Sequence, residues 1–342
     1  MTKRRDVLKW SLSMPAVAVL GRTGTVRAQA GKGEFKLKVA ALARTIPQWQ
    51  LFEFLRDETQ KRSNGRIEVT LTTVGELGVQ SFDMVRVMRS GLVDVGNVVP
   101  LHVSGAVPLL EATELPGLFP DVATTRKATE AWVEKVLLPN PDKVGGRVIG
   151  SFGWAGQMLF SRKPVDDIAN LKAMKIRVTS SSMSDFISAL GGVPVTISLD
   201  ELYTGLQQGT VDGATTAAAV GYQMKLYETT KYLVDLNIGT PTGLIVVNSG
   251  VWAKLPADLQ KVLTDVGKEL TDRGWTQSFS LEKIGIDQNG QKNVAYQPMK
   301  PEWKAAIANA QKITAERWAI RAGAEGKSSF NTIIAPFVGF KV

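Results

Sequence analysis

Three consecutive patterns between Phe35 and Thr72 leave this chain few folds to choose from. Phe35 to Ala41 (FKLKVAA) alternates apolar and polar residues, the period of a strand with one buried face. Trp49 to Arg62 carries helical spacing and is ended by Asn64-Gly65, and Arg66 to Thr72 (RIEVTLT) alternates again. A strand, a helix and a strand in that order bring the chain back alongside its first strand. This predicts an α/β layered domain with a parallel sheet.

The pattern continues. A helix from Ser81 to Arg89 stops at Ser90-Gly91, and Val93 to Val99 reads as a buried strand. A second such unit lies at Lys172 to Thr216. There Ile176 and Val178 alternate with Lys175 and Arg177, Thr179 to Ser182 supply N-caps, and a short helix ends at Gly191-Gly192. An apolar strand and the helix ELYTGLQQ follow. That helix, with Gly209-Thr210-Val211-Asp212, echoes DMVRVMRS with Gly91-Leu92-Val93-Asp94, 118 residues earlier. With 342 residues, too many for one typical core, the echo supports two lobes of similar architecture.

Between the units, Pro108 to Asp121 is irregular, residues 124–138 are helical, and Gly146 to Phe152 is a strand fit to cross between lobes. Beyond them, Gln223 to Leu233 reads as helix and Leu244 to Asn248 as strand. A helix runs from Leu255 to Gly274, its pattern extending to about Ile284, and Trp303 to Arg321 is the final helix before a tail.

Composition removes several function classes. Cysteine is absent and histidine occurs once, as His102 in the apolar run VVPLHVSG, where a structural role is expected. Disulfides, thiol nucleophiles and thiolate metal sites are excluded, and no paired acid–base set suggests an enzyme. The net charge of +9 is concentrated at the start, because residues 1–30 hold six basic residues against Asp6. Only +4 remains for the rest, spread along the chain, which argues against nucleic acid. The same thirty residues have a charged start, an apolar run from Trp10 to Leu20, and Ala28-Gln29-Ala30. They predict an export signal cleaved after Ala30, with Arg4-Arg5 as a twin-arginine pair, and hence a periplasmic protein. No later stretch is a membrane-span candidate.

Arg177 sits near the carboxyl end of a predicted strand, just before a helix N-terminus with free N–H groups. A guanidinium beside such a terminus suits an anion; the competing reading is a salt bridge to Asp185 or Glu201.

Several segments, in order, carry a family resemblance. They are NGRIEVTL at 64–71, SGLVDVG at 90–96, TELPGLF at 113–119, SRKPVDDIANLKAMKIRV at 161–178, ALGGVPVTISLDELYTGLQQGTVDG at 189–213, KLYETTKYL at 225–233 and VNSGVWAKLPADLQKVL at 247–263. Together, over residues 35–275, the chain resembles the solute receptors of tripartite ATP-independent periplasmic (TRAP) transporters, of the dicarboxylate-receptor (DctP) type. The resemblance implies a two-lobed periplasmic binding protein, type II-like, with a hinge and a long helix spanning both lobes. The lobes are expected at 31–153 plus about 241–282, and at 154–240 plus about 283–342. It further implies capture of a small organic anion in the interlobe cleft and delivery to TRAP membrane permease subunits, without enzymatic activity or direct membrane insertion.

By the same resemblance Arg177 binds the ligand carboxylate. Gln157, about twenty residues earlier, stands where relatives carry a second arginine or a glutamine, and its amide suits a smaller or less charged acid. Relatives place polar or acidic groups after Val211-Asp212-Gly213, whereas this chain has Ala214-Thr215-Thr216-Ala217. Thr215 and Thr216 are therefore expected to make uncharged contacts, with no metal and no cofactor. Thr45, Trp49 and Asn97 from the first lobe, and Trp154, complete the candidates. The expected solute is a monocarboxylate such as a hydroxy, oxo or aromatic acid. A sulfonate, a dicarboxylate, or a sensor role feeding a signalling partner are the alternatives.

Overall fold

Both strand–helix–strand units form, and each seeds its own sheet. In the computed structural model, which describes residues 31–342, the first unit contains β1 (Phe35–Ala41), α1 (Trp49–Arg62), β2 (Ile67–Thr73), α2 (Met84–Ser90) and β3 (Val95–Val98). The expected export signal lies outside the described residues. The chain continues through α3 (Pro100–Val103), a 3-10 segment at Pro108–Thr113, α4 (Val122–Trp132) and β4 (Gly146–Gly153). The second unit holds β5 (Gln157–Ser161), β6 (Lys175–Val178), α5 (Ser181–Ala189), β7 (Val193–Thr196), α6 (Leu202–Gln208) and β8 (Gly213–Ala217). Then come α7 (Ala218–Gln223), β9 (Tyr232–Val234), β10 (Thr242–Asn248), α8 (Ser249–Lys254), α9 (Ala257–Gly290), β11 (Ala295–Gln297), α10 (Lys304–Ser329) and α11 (Ala335–Val338).

The sheets repeat one plan. The first is ordered β2-β1-β3-β10-β4 and the second, read from the matching edge, β7-β6-β8-β5-β9-β11. In each, three parallel strands are followed by an antiparallel one, β10 against β3 and β5 against β8. That fourth strand is exchanged: β5 directly follows the first sheet's β4, and β10 follows the second sheet's β9. Residues 154–156 and 235–241 are therefore the crossing strands.

The internal echo is structural. Gly91 and Gly209 cap α2 and α6 with φ of 71° and 76°, a left-handed conformation that strains any residue with a Cβ. Three residues later the aspartates do the same work. Asp94 accepts the Lys38 N–H at 2.7 Å while its own N–H bonds the Lys38 carbonyl. Asp212 accepts the Lys175 N–H at 2.9 Å and donates to the Lys175 carbonyl. Each aspartate thus pins the central parallel strand of its sheet.

Two long helices bind the halves. On α9, Leu259, Leu263, Val266 and Leu270 pack in the first-sheet core, and Ile286 packs against the second. Its 34 residues exceed the predicted length, because its buried face continues past Gly274 with Trp275, Ser278 and Leu281. Trp303, just before α10, and Ile307 and Ala310 on it join Val178 and Phe186 of the second sheet's core. Further along, Ala315, Trp318 and Ala319, with Phe330 and Ile334 beyond the helix, join Val85, Trp132 and Leu244 of the first.

That packing corrects the expected lobe boundary: residues 283–342 do not stay with the second sheet, since the stretch from Ala315 onward fills the first-sheet core. The expected tail is likewise helical to Val338, broken at Gly323. The predicted helix Gln223–Leu233 is also corrected. It divides into the end of α7, a 3-10 turn at Leu226–Glu228, and β9, whose Tyr232–Val234 pair with both β5 and β11.

Candidate functional site

Arg177 stands at the junction of the two lobes as a buried charge without a countercharge. On β6, between β7 and β8, its Nε donates to the Ile197 carbonyl and its Nη1 to the Thr215 carbonyl, both at 3.0 Å. Thr215 Oγ donates back to the Arg177 carbonyl at 3.1 Å, so side chain and backbone are both fixed. The residue is 2% exposed. Neither proposed salt-bridge partner reaches it: Asp185 is held by Arg317 and Arg321, and Glu201 accepts from Ser198. Burial, with no carboxylate to offset it, pushes the guanidinium down to about 10.

Arg177 lines a cavity of about 420 Å³, counting its mouth, between β6, β8, the crossing strands and the α3 region. Gln157, Trp154, Thr179, Thr216 and His102 share its wall. Much of the remainder is apolar, from Val99, Leu101, Leu199 and Val220. Four buried polar atoms on this wall have no partner within the protein: Gln157 Oε1, Trp154 Nε1, Thr179 Oγ and His102 Nδ1. Buried polar groups ordinarily find hydrogen bonds, so this cavity leaves both donors and acceptors open beside a lone guanidinium.

The structure brings Arg177, Gln157, Trp154 and Thr216 of the sequence candidates to one cavity. Thr215 is fully buried behind them and touches the site through Arg177. Asn97 is buried in β3, opposite Ile245 of β10, and does not line the cavity. Thr45 and Trp49 line a different groove with Gln277 and Leu281, where Trp49 lies 4.5 Å beneath the Arg44 guanidinium.

Two wall residues escape sequence reasoning. Thr179 follows the strand carrying Arg177 and is read there only as part of a capping run; Ser180 is the residue that caps α5, accepting from Met183. His102 is expected to be structural, yet it lines the cavity with its ring 5.4 Å from Phe82. Burial, reinforced by the charge of Arg177, holds its imidazole down to about 3, so it is neutral.

The cleft rim is tied across the lobes. Glu111 accepts from the Ser182 N–H at 3.2 Å and from its hydroxyl at 2.6 Å. The Ser181 N–H donates to Ser104 Oγ at 3.3 Å, and Arg321 Nη2 donates to Ser182 Oγ at 3.0 Å. All of these converge on the first turn of α5.

Two α/β sheets of one plan, exchanged strands and a cavity between them that carries a buried guanidinium define a two-lobed solute-binding fold. Residues 39–320 match the family described as bacterial extracellular solute-binding protein, family 7 (DctP), and the chain belongs to that family. It is a TRAP-type solute receptor and not an enzyme. A solute-binding protein of Sulfitobacter sp. strain NAS-14.1 is 30% identical over 224 residues, 64% of this chain and 66% of that relative. Among solved structures, a Bordetella pertussis extracytoplasmic solute receptor binding pyroglutamic acid superposes with a TM-score of 0.82 at 22% identity, covering 88% of this chain and 99% of that one. A TRAP periplasmic solute binding protein from Desulfovibrio salexigens with bound orotic acid gives 0.82 at 24%, covering 89% and 98%.

Proposed function

We propose that the mature protein is a periplasmic receptor for a small monocarboxylate, exported by the signal in residues 1–30 and cut after Ala30. The solute's carboxylate pairs with Arg177, and Gln157, Trp154, Thr179 and Thr216 meet its remaining polar atoms. The loaded receptor passes the solute to TRAP permease subunits. The single observation that carries this reading is the guanidinium of Arg177, 2% exposed and with no carboxylate partner.

The wall favours one acidic group over two, since Arg177 is the cavity's sole cation among the described residues. Trp154 Nε1 offers a donor for a second ligand oxygen, and Gln157 Oε1 an acceptor for a hydroxyl or N–H. A hydroxy, oxo or ring-amide acid satisfies both. Pyroglutamate and orotate, bound by the two structural relatives, each combine one carboxylate with ring N–H and carbonyl groups. A sulfonate would meet Arg177 in the same way and belongs in the same screen.

The test is a thermal-shift screen of organic acids on residues 31–342. A ligand at one hundred times its Kd adds about 2.7 kcal/mol of stability. Arg177→Ala removes about 2–5 kcal/mol of binding and abolishes the shift, with the far-ultraviolet spectrum unchanged. A retained shift in the folded variant removes Arg177 from the site.

A further inference from the structure

Gln157 borders three adjoining spaces. The first is the Arg177 cavity; a second shares Leu101, Gln157 and Pro241 with it; the third shares Gln157, Phe119, Thr125 and Gly239 with the second. The third space, about 1260 Å³ counting open solvent, is the outer one, beside the crossing strands and α9. Its walls carry Asp235, Glu282, Lys283 and Asp121, the last of which caps α4 by accepting the Thr124 N–H.

Asp235 and Glu282 are not consumed by the fold in the usual way. Among the described residues neither Asp235 nor Glu282 forms an ion pair, and Lys283 on the same wall is paired with Asp287. Asp235 accepts the Asn237 N–H at 2.7 Å. The Glu282 carboxylate lies against Gly156, where a Cβ would stand 2.5 Å from Oε2, one residue from Gln157. Burial and the neighbouring Asp235 both raise its pKa, two costs that a cation would relieve. Independently of these acids, Gln157 is 92% buried by its 8% exposure, and its Oε1 has no partner. Phe279 adds an aromatic face at 55% exposure, a surface that suits an organic cation. Among the described residues no three His, Cys, Asp or Glu groups stand close enough to hold a metal ion.

We infer that Asp235 and Glu282 form an acidic vestibule that selects the far end of the solute: an ammonium or N–H group is favoured there, and a second carboxylate is rejected. The inference rests on the proposed carboxylate pairing at Arg177 and adds polarity along the path. A basic inner wall and an acidic outer wall, joined at the Gln157 amide, orient a dipolar molecule with its carboxylate inward. A dicarboxylate satisfies Arg177 and then meets like charge at the outer wall.

Three probes of similar length separate the ends: 4-aminobutyrate, butyrate and succinate, titrated calorimetrically into residues 31–342 at low ionic strength. The expected order is 4-aminobutyrate, then butyrate, then succinate, with about tenfold between the extremes. The isosteric double substitution Asp235→Asn with Glu282→Gln brings the three within about twofold of one another while retaining the hydrogen-bond acceptors. Succinate binding as tightly as 4-aminobutyrate, or no gain of 4-aminobutyrate over butyrate, overturns the vestibule. Arg177→Ala is read separately. If it abolishes binding or weakens all three probes alike, the carboxylate pairing stands; if all three bind as tightly as to the wild type with their order kept, that pairing fails while the vestibule stands.

Discussion

A neutral histidine beside an unpaired guanidinium gives the cleft a defined response to acid. The ordinary His102 value of 6.5 is depressed to about 3, so below 6.5 the unfolded chain takes the proton and the folded chain does not. Stability is therefore lost as pH falls from 6.5 toward 3, at up to about 1.4 kcal/mol per pH unit. Glu111 and Glu114 act with the opposite sign. Burial raises them from 4.5 to about 7 and about 8, so the folded chain holds protons that the unfolded chain releases. Their contribution is full below 4.5 and is lost as pH rises through 7 and 8. Denaturant titration of residues 31–342 is expected to show stability rising as pH drops from 8 to 6.5. Glu111→Gln with Glu114→Gln flattens that rise, and His102→Gln steepens the gain below 6.5. A wild-type stability that falls from pH 8 to 6.5 contradicts the assignment. Arg177 is legible in the sequence because strand alternation and the following caps fix its place locally. His102 is not, because its value depends on Arg177, 75 residues away in sequence and brought close only by the meeting of the two lobes.

At the scale of elements, the repeated helix, glycine and aspartate are the clearest link between sequence and architecture. Asp94 and Asp212 each exchange two hydrogen bonds with the central strand of their own sheet, through Lys38 and Lys175. A charge-assisted bond of this kind at a partly exposed site contributes about 1–2 kcal/mol. Asp94→Ala and Asp212→Ala are expected to lower stability by about that amount each, and to add in the double variant because they share no partner. Urea unfolding monitors this, and a double variant no weaker than either single one would deny the equivalence. Local signals of this sort made the two parallel units readable. The segment from Gln223 to Leu233 misleads because KLYETTKYL has acceptable helical spacing, while Tyr232–Val234 gain ladder bonds on both sides from β5 and β11. Residues beyond Arg321 mislead for a related reason. Their small and polar composition hides the few anchors, Phe330, Ile333 and Ile334, that dock in the first-sheet core.

At the scale of the whole molecule, the lobes are joined by covalent crossings that leave hinge freedom and by contacts that hold them together. The crossing strands, α9 and α10 run through both halves, so they set an axis of motion rather than a closed angle. The closed angle is fixed by the rim: Glu111 and Ser104 on the first-lobe side, Ser181 and Ser182 on α5, and Arg321 reaching Ser182 while also bonding Asp185. None of these side chains lines the Arg177 cavity. They bias closure without touching the proposed solute, and the apparent affinity scales with the fraction of molecules able to close. Arg321→Ala removes the donor to Ser182 Oγ and one of the two arginines that hold Asp185, and is expected to weaken solute binding about 10-fold, corresponding to about 1.4 kcal/mol. The loss should appear in the dissociation rate, with the order of preference among solutes unchanged, because the cavity wall is intact. Small-angle scattering of the variant should require more solute than the wild type to reach the compact form. An altered solute preference would instead assign Arg321 to the site itself, and an unchanged dissociation rate would show that the rim does not govern closure.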